Sequence, residues 1–577
     1  MPAQNVKLPP KHVDVLVIGG GPAGSYAAAA LAREGLEVAV FEASKFPRYH
    51  IGESLIPSVR HYLRFIDAEE KLANHGFVRK PGAALKFRQY AEEGYTDFVA
   101  IGHNNNAWNV DRSEFDLLLM NHARTCGASV YELTRVNSLA FSQTDPSRPI
   151  SATWSHTPPP APISPPASPN ASRDSTKSPE LVVSEPIKYT GTTTFKYLVD
   201  ASGRAGLMST KYMKNRHFNQ SLKNIAVWGY WKDVGTYGAG TKREGSPWFE
   251  ALTDESGWAW FIPLNNGTTS VGIVTNQEVY NQKLKRPIPP SPFPSASAPD
   301  HSNSDSVARY LAGISLAPHL VDLISSKGTL LEGTIAKASD YSYSAPSYAG
   351  NGFRIAGDAG AFIDPLFSSG IHLAMTSALS AAATICASFR GDTNETEAAE
   401  WHTNRVATSY TRFQLVVLSA YKQIRAQNMP ILSDVDENNF DRAFAFLRPV
   451  IQGASDMGTR LSETELQKSL DFCVNLFSPT TPEQHEKLYQ SGKISKELLD
   501  VTSPVMHPSL LERALLQVTP AVEKDNELDL PTSKLVLDKI NARRVVHAEY
   551  GIHNLESETL DGYVVRLKKG SLGLEKF

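Results

Sequence analysis

The sequence predicts an α/β fold with a Rossmann-like, three-layer module, an inserted mixed β-sheet and a helical C-terminal region. Three observations lead to this prediction. A strand, a glycine-rich turn and a helix follow one another near the start of the chain, a strand-rich aromatic region lies in its middle, and its last third is mainly helical in pattern. Strands that alternate with helices indicate a parallel sheet, whereas strands joined by a tight turn indicate an antiparallel pair.

The first unit runs from Val13 to Glu42. Its apolar run Val13 to Ile18 has the length of a buried parallel strand. The G-x-G-x-x-G spacing follows in Gly19, Gly21 and Gly24. This spacing permits a tight turn and the close approach of a pyrophosphate to a helix N-terminus, while Glu42, at the end of the next strand, can accept a hydrogen bond from a ribose hydroxyl. The unit therefore predicts a bound dinucleotide rather than a plain βαβ unit.

The later parts of the chain add a second sheet and a return to the first module. Residues 225–274 are rich in strands and aromatic side chains, and the dipeptide Asn266-Gly267 between two strands predicts a hairpin. A strand, a loop and a long helix of small residues follow Gly352. We therefore expect the first part of the nucleotide module at 1–220, a substrate-facing sheet at 221–340, the return segment at 341–390 and a helical region at 391–577.

Two tracts interrupt this order. Residues 156–180 and 286–305 are dense in proline and serine, a composition that cannot form a packed core, so we predict disordered insertions there. The chain has 57 basic and 60 acidic residues, a formal charge of −3, which gives no reason to expect nucleic acid or an anionic membrane as a partner. Its three cysteines show no metal-ligand spacing. With no secretory segment and no apolar run of membrane-spanning length, we expect a cytoplasmic protein without a metal site.

Four separated stretches carry the chemistry: the glycine turn, the segment at Arg112, the sequence Asp200 to Arg204, and the pair Gly357-Asp358. In this combination the chain resembles the hydroxylase-like FAD monooxygenases. The resemblance implies FAD as the cofactor, with an arginine and an aspartate contacting it besides the turn. The implied cofactor-binding residues are Gly19, Gly21, Gly24, Glu42, Arg112 and Asp358.

Two further motifs narrow the family. The sequence from Trp258 to Pro263 has the W-x-W-x-I-P pattern, and Lys80 follows the loop GESLIP. Alone, the tryptophans would be interpreted as core aromatics and the lysine as a solvated cation. Together they resemble the flavin-dependent halogenases, and the chain is similar to the fungal phenol-type and polyketide-type enzymes. The resemblance implies Lys80 as the catalytic residue and a gatekeeping role for Trp258, Trp260, Ile262 and Pro263.

The resemblance also implies a reaction. FADH2 and O2 generate hypochlorous acid from chloride beside the flavin, and the oxidant travels to Lys80, which presents it to an electron-rich aromatic ring. In the loop DPLFSSG we expect Ser368 to be catalytic and Ser369 and Gly370 to bind chloride through N–H groups at a helix N-terminus. Tryptophan halogenases carry a glutamate where this chain has Phe367. Since a phenol is activated by its own oxygen, this departure favours a phenolic, polyketide-derived secondary metabolite over tryptophan.

Two alternatives remain at this stage. The first is an aromatic hydroxylase that transfers oxygen to its substrate directly from a flavin hydroperoxide, and the second is a non-catalytic flavin-binding protein. The stretch Gly235 to Gly240 has the wrong spacing for a second dinucleotide site and shows no preceding strand. We therefore expect a separate flavin reductase as a partner, besides a small aromatic substrate that is either free or bound to a carrier protein.

Overall fold

The computed structural model describes most of the chain. The described residues are 7–90, 92–99, 103–158, 187–289, 293, 304–325, 327–339, 342–425, 427, 482–492, 494–500, 503, 506, 511, 513, 515, 530–550 and 559–577. The first predicted insertion therefore lies almost wholly outside the described residues. Of the second, Phe293 packs on Trp231 and the last two residues begin a helix, so the prediction of disorder is wrong for those positions.

The described strands fall mainly into two large sheets. In chain order they are β1 (His12–Ile18), β2 (Val38–Phe41), β3 (Val78–Lys80), β4 (Gly82–Lys86), β5 (Gly94–Asp97), β6 (Ala107–Asn109), β7 (Ser129–Tyr131), β8 (Thr134–Phe141), β9 (Pro149–His156), β10 (Tyr189–Asp200), β11 (His217–Phe218), β12 (Asn224–Lys232), β13 (Trp248–Ala251), β14 (Gly257–Pro263), β15 (Thr269–Asn276), β16 (Thr329–Leu330), β17 (Ala336–Ser339), β18 (Tyr343–Ser344), β19 (Ala349–Gly350), β20 (Phe353–Ile355), β21 (Tyr563–Arg566) and β22 (Gly573–Lys576).

The described helices cover the sheets and form much of the C-terminal region. They are α1 (Pro22–Ala32), α2 (Val59–Phe65), α3 (Glu69–Ala73), α4 (Arg112–Thr125), α5 (Gln277–Leu284), α6 (Ser304–Ile314), α7 (Pro318–Ile324), α8 (Gly370–Arg390), α9 (Glu395–Ile424), α10 (Pro482–Gln490), α11 (Lys496–Leu499) and α12 (Leu530–Tyr550). Helix α8 is long and apolar enough to cross a bilayer, but 89% of the relevant window is buried inside the protein.

The first sheet confirms the Rossmann-like prediction. Its strands follow the order β19-β20-β10-β1-β2-β7, and β20, β10, β1, β2 and β7 pair in parallel. One face packs on the alanine-rich helix α1 and on α8, because small residues let these helices approach the strands closely. The other face packs on residues near Tyr348 and on side chains of β8 and β9, an antiparallel pair that joins the sheet through β10. The glycine turn and the Asp200 segment consequently end at the same edge of the sheet.

The second sheet has the order β16-β12-β15-β14-β13-β4-β5, with β17 also paired to β12. It is antiparallel except where β13 pairs in parallel with β4. The predicted hairpin at Asn266-Gly267 joins β14 to β15, and Gly267 has φ +77°, which explains the need for glycine. Because β4 and β5 come from residues 82–97, the sheet draws on sequence far before the expected boundary at residue 221.

Two other sequence expectations need correction. The stretch Gly235 to Gly240 does follow a strand, β12, but it forms turns rather than opening a helix. The C-terminal region is not purely helical, since β21 and β22 form a hairpin that packs on α8. Glu34 at the end of α1 accepts hydrogen bonds from the N–H groups of Gly570 and Leu572, each at 2.9 Å. The end of the chain is thereby tied to the nucleotide module.

Candidate functional site

The glycine turn has no room for side chains. Gly19 has φ +101°, and a Cβ atom there would lie 2.2 Å from the carbonyl oxygen of Ala201. A Cβ atom on Gly24 would lie 1.9 Å from the carbonyl oxygen of Gly19, so only glycine allows α1 to pack against the turn. Gly21 is the N-cap residue of α1. A Cβ atom built there would meet only the Arg48 guanidinium within 4 Å, at 3.4 Å. These residues fit the pyrophosphate of a dinucleotide such as FAD.

Glu42 lies at the end of β2 and is buried. Its two carboxylate oxygens accept hydrogen bonds from the N–H groups of Gly20 and Ser44, both at 2.7 Å. The side chain therefore holds the glycine turn by a hydrogen bond to its backbone. Its place after β2 is also that of the acidic residue that binds a ribose in dinucleotide folds.

Arg112 begins α4, and Asp111 caps this helix by accepting from the N–H of Ser113. The guanidinium binds Asp116 through Nε at 2.9 Å and Nη2 at 3.1 Å, and it donates from Nη1 to the carbonyl of Ile51 at 2.7 Å. Arg48 also contacts Asp116, at 3.2 Å. Two arginines share one buried carboxylate, which leaves a net positive charge near the glycine turn, as a bound diphosphate requires.

Asp358 follows the predicted return strand, after Gly357 with φ +64°. Burial raises the pKa of its carboxyl group to about 6, while the positive charges of Arg112, Arg204 and Arg216 act in the opposite direction. Among the described residues no donor hydrogen-bonds this carboxylate. The site therefore offers a free acceptor among cations, which fits the hydroxyl-rich ribityl chain of FAD. Sequence reasoning did not assign Arg204 or Arg216 to the site, although the motif at Asp200 contains Arg204.

Lys80 lies on β3, a short strand paired with β6. Only 1% of its surface is exposed. The amine donates to Ser54 Oγ and to the carbonyl of Leu55, both at 2.8 Å, and lies 5.4 Å from the centre of the Phe98 ring. Burial lowers the pKa of this amine to about 7, because no described carboxylate pairs with it. The predicted catalytic lysine is thus enclosed and easily made neutral.

A short hydrogen-bond chain fixes the Lys80 amine. Ser54 Oγ accepts from the amine and donates to Asn109 Oδ1 at 3.1 Å, and Asn109 Nδ2 donates to the carbonyl of Gly245 at 3.1 Å. The chain connects the loop GESLIP, strand β6 and the segment before β13. Ser54 belongs to the loop GESLIP, but Asn109 and Gly245 belong to no motif. The sequence alone therefore could not identify these two residues as parts of the hydrogen-bond chain.

The tryptophan motif forms strand β14. Trp258, Trp260 and Ile262 share the face that packs toward the nucleotide module, whereas Ala259 and Phe261 face the opposite core. The indole rings lie 5.7 Å apart. Trp258 Nε1 donates to Tyr421 OH at 2.8 Å and Trp260 Nε1 donates to Ser270 Oγ at 3.1 Å. Both rings are therefore fixed in place by specific hydrogen bonds, and Pro263 ends the strand beyond them.

The loop DPLFSSG makes a tight turn into α8. Ser368 has φ +56°, an uncommon conformation for a residue with a side chain. Ser369 caps α8 and is fully buried, and its Oγ has no hydrogen-bond partner among the described residues. A Cβ atom on Gly370 would meet nothing within 4 Å. A buried hydroxyl and open space thus adjoin the positive end of a 21-residue helix, an arrangement that suits an anion.

Glu53 was not predicted as a site residue. Its Oε1 accepts from Tyr230 OH at 2.5 Å, and its other oxygen is buried without a described partner. Burial raises the pKa of this carboxyl group to about 7, and the hydrogen bond from Tyr230 acts in the opposite direction. Because Tyr230 lies on β12, Glu53 joins the lysine loop to the second sheet.

Comparisons with known proteins show which family this chain is similar to. The family model described as tryptophan halogenase matches residues 14–153 and 185–291. The flavin-dependent halogenase armH1 of Armillaria mellea is 50% identical over 98% of each chain. The flavin-dependent halogenase ascD of Acremonium egyptiacum is 46% identical over 98% of this chain and 93% of its own. The sulochrin halogenase gedL of Aspergillus terreus is 40% identical over 98% of this chain and 94% of its own.

Solved structures are similar in fold. The myxobacterial chondrochloren halogenase CndH superposes with a TM-score of 0.59 at 24% identity, covering 82% of this chain and 99% of its own. The flavin-dependent halogenase CmlS superposes with a TM-score of 0.60 at 23% identity, covering 88% of this chain and 77% of its own.

Proposed function

Because this chain belongs to the flavin-dependent halogenases, we propose that it chlorinates an electron-rich phenolic ring, with Lys80 as the residue that receives the oxidant. Reduced FAD, when bound, supplies with O2 the oxidising power that converts chloride to hypochlorous acid. The observation that carries the proposal is the enclosed Lys80 amine, which has two fixed hydrogen bonds and a pKa lowered to about 7.

The hydrogen bonds of Lys80 suit a nucleophilic amine. A neutral amine has two hydrogens and one lone pair, and the two acceptors, Ser54 Oγ and the Leu55 carbonyl, can take both hydrogens. The lone pair then remains available. Its attack on hypochlorous acid forms an N–Cl bond and releases water. Attack by an aromatic carbon on the chlorine then forms the C–Cl bond and breaks the N–Cl bond, and the proton lost from the ring passes to the nitrogen and restores the amine. In the protonated form the amine would instead donate to the oxidant's oxygen.

We assign chloride to the start of α8. The N–H groups of Ser369 and Gly370 and the positive helix end favour an anion, and the unpartnered hydroxyl of Ser369 supports the assignment. Ser368, which we propose as a further catalytic residue, turns the chain into the helix by its left-handed backbone. Trp258 and Trp260, with Ile262 and Pro263, are the gatekeepers that keep the substrate from direct oxygen transfer.

The substrate class follows from Phe367. A glutamate at this position would stabilise positive charge on a ring, and a phenylalanine cannot, so the ring must supply its own activation. A phenol, such as a resorcinol-type polyketide ring of a secondary metabolite, meets this requirement. We further propose a separate flavin reductase as the source of reduced FAD, a substrate that is free or carrier-bound, and action in the cytoplasm.

The test is an incubation of the protein with FAD, a flavin reductase, chloride and a panel of phenols beside free tryptophan, followed by mass spectrometry. We expect a chlorine isotope pattern in phenol products. An added oxygen without chlorine would favour the aromatic hydroxylase, and chlorination of tryptophan but not of phenols would overturn the substrate class. Oxygen consumption that no substrate changes would favour a non-catalytic flavoprotein.

A further inference from the structure

A buried carboxylate connects the proposed chloride turn to the tryptophan strand. Asp364 is fully buried at the start of the loop DPLFSSG. Its Oδ1 accepts from the N–H of Leu366 at 3.2 Å, inside the turn. Its Oδ2 accepts from Tyr421 OH at 2.7 Å and from Asn224 Nδ2 at 3.1 Å, outside the turn. One oxygen thus shapes the turn, and the other attaches it to α9 and β12.

The donor and the acceptor of each hydrogen bond at the Tyr421 hydroxyl can be assigned. Its hydroxyl accepts from Trp258 Nε1 and from Asn224 Nδ2, both at 2.8 Å. A phenol has two lone pairs and one hydrogen, so this hydrogen is left for Asp364. The order of donation is therefore Trp258 to Tyr421 to Asp364. Buried networks with every donor assigned in this way specify a single geometry, because any rearrangement leaves an unpaired group.

The turn beyond Asp364 needs such support. Ser368 is held at φ +56° with a single turn bond, from its N–H to the Pro365 carbonyl at 2.9 Å. A left-handed conformation outside glycine persists when surrounding contacts determine it. The two residues that follow, Ser369 and Gly370, carry the N–H groups assigned to chloride. A shift of this turn would therefore move the chloride relative to the indole of Trp258.

We propose that Asp364 is a positioning residue for halide binding: through Leu366 and Tyr421 it fixes the turn that carries Ser369 and Gly370 against Trp258. This inference rests on the proposed chloride site. The network fixes the N–H groups of Ser369 and Gly370 relative to the indole of Trp258.

The decisive variant is Asp364→Asn. An amide has one oxygen, so either Leu366 N–H or the pair Tyr421 and Asn224 would face an NH2 group. The volume is unchanged, and the network must break on one side. Tyr421→Phe is a milder variant, since it removes the hydroxyl between Trp258 and Asp364 and leaves the bond from the Leu366 N–H to Asp364.

Glu250 provides a matched control. It is fully buried in the same sheet and also accepts from an indole, Trp248 Nε1 at 3.1 Å, and from the N–H of Leu320 at 2.8 Å. Trp248 faces the core on the other side of the sheet from Trp258. Glu250→Gln therefore breaks an equivalent buried carboxylate network away from the chloride turn.

Two readouts test the proposal: the apparent KM for chloride of the holoenzyme, and the height of the anomalous bromide peak at Ser369 and Gly370 in bromide-soaked crystals. We expect Asp364→Asn to raise the KM about tenfold and Tyr421→Phe about threefold, with weaker bromide peaks, and Glu250→Gln to change the KM less than about twofold. Thermal unfolding reports any general loss of stability.

The outcomes separate the two proposals. If wild-type crystals bind bromide at Ser369 and Gly370 but Tyr421→Phe and Asp364→Asn match the wild type in both readouts, the positioning role is wrong. Equal KM changes in Glu250→Gln and Asp364→Asn would also overturn it, because the effect would then be general. If the wild type itself shows bromide elsewhere, the chloride assignment fails, and the positioning role fails with it. If Asp364→Asn does not fold, the KM for chloride and the bromide peak of Tyr421→Phe decide whether the positioning role holds.

Discussion

The lysine end and the flavin end of the proposed site differ in charge. At one end Lys80 is buried with two neutral oxygen acceptors, and burial lowers the pKa of the amine to about 7. At the other end Asp358 is a carboxylate whose pKa burial raises to about 6. Burial therefore shifts each group toward its neutral form. The carboxylate has the charges of Arg112, Arg204 and Arg216 beside it, whereas no described group of opposite charge pairs with the lysine.

The difference indicates two kinds of chemistry. The arginine-rich end is suited to holding a charged cofactor and an anion, because arginine side chains stay positively charged at all physiological pH values. The lysine end is suited to a reagent that must be uncharged to react. Substitutions at the lysine end should therefore change chlorination without changing FAD binding, and a substitution at the arginine-rich end should do the reverse.

The largest expected effect is the loss of chlorination in Lys80→Ala. Without the amine we expect chlorinated product to fall about a thousandfold, as for the loss of a covalent catalyst, while the affinity for FAD stays the same. Product analysis and a flavin fluorescence titration measure the two quantities. Lys80→Arg should be equally inactive, because a guanidinium stays protonated. The assigned role would be contradicted if Lys80→Ala still formed chlorinated product, or if it added oxygen to the substrate at the rate of the wild type.

A second expected effect is a gain in stability. Lys80→Met removes a cation from an apolar site, so we expect the free energy of unfolding to rise by about 2 kcal/mol at pH 7. The folded pKa of about 7 lies below the ordinary lysine pKa of 10.5, so the unfolded chain binds more protons between these values. The wild type therefore gains stability as pH rises through that window, and the advantage of Lys80→Met should shrink. Urea unfolding at pH 7 and pH 9 tests both statements, and an advantage that grows with pH would contradict them.

At the arginine-rich end we expect Asp358→Asn to weaken FAD binding about tenfold, since it removes one charged acceptor for the ribityl hydroxyls. Chlorination at saturating FAD should stay near the wild-type rate, because the lysine end is untouched. Equilibrium titration followed by turnover at high FAD measures this pair of quantities. A lower saturated rate with normal affinity would mean that the two ends are not separate.

The smallest effect concerns pH. If the neutral amine is the reactive form, the rate of chlorine transfer should rise about fivefold from pH 6 to pH 7 and level off above pH 8, as expected for a pKa of about 7. Single-turnover measurements with preformed hypochlorous acid isolate this step from flavin chemistry. A rate that falls as pH rises would instead favour the protonated amine as a hydrogen-bond donor to the oxidant.

Much of this organisation could be predicted from the sequence, because local patterns determine it. The glycine turn, the hairpin at Asn266-Gly267 and the helix after Gly370 each depend on residues close together in the chain. The networks could not be predicted in the same way. Trp258 and Tyr421 are 163 residues apart, and Lys80 and Ser54 are 26 apart. Such pairs have no spacing rule, since tertiary packing alone brings them together.

The C-terminal hairpin shows the same limit and has a further consequence. Glu34 lies at the end of the first helix, yet its carboxylate binds the N–H groups of Gly570 and Leu572 and the guanidinium of Arg390. During synthesis, the carboxylate of Glu34 can therefore accept from these two N–H groups only after residues 570–572 have left the ribosome. Two hydrogen bonds of this carboxylate thus form late, after the segment that supplies Arg390 has already been made.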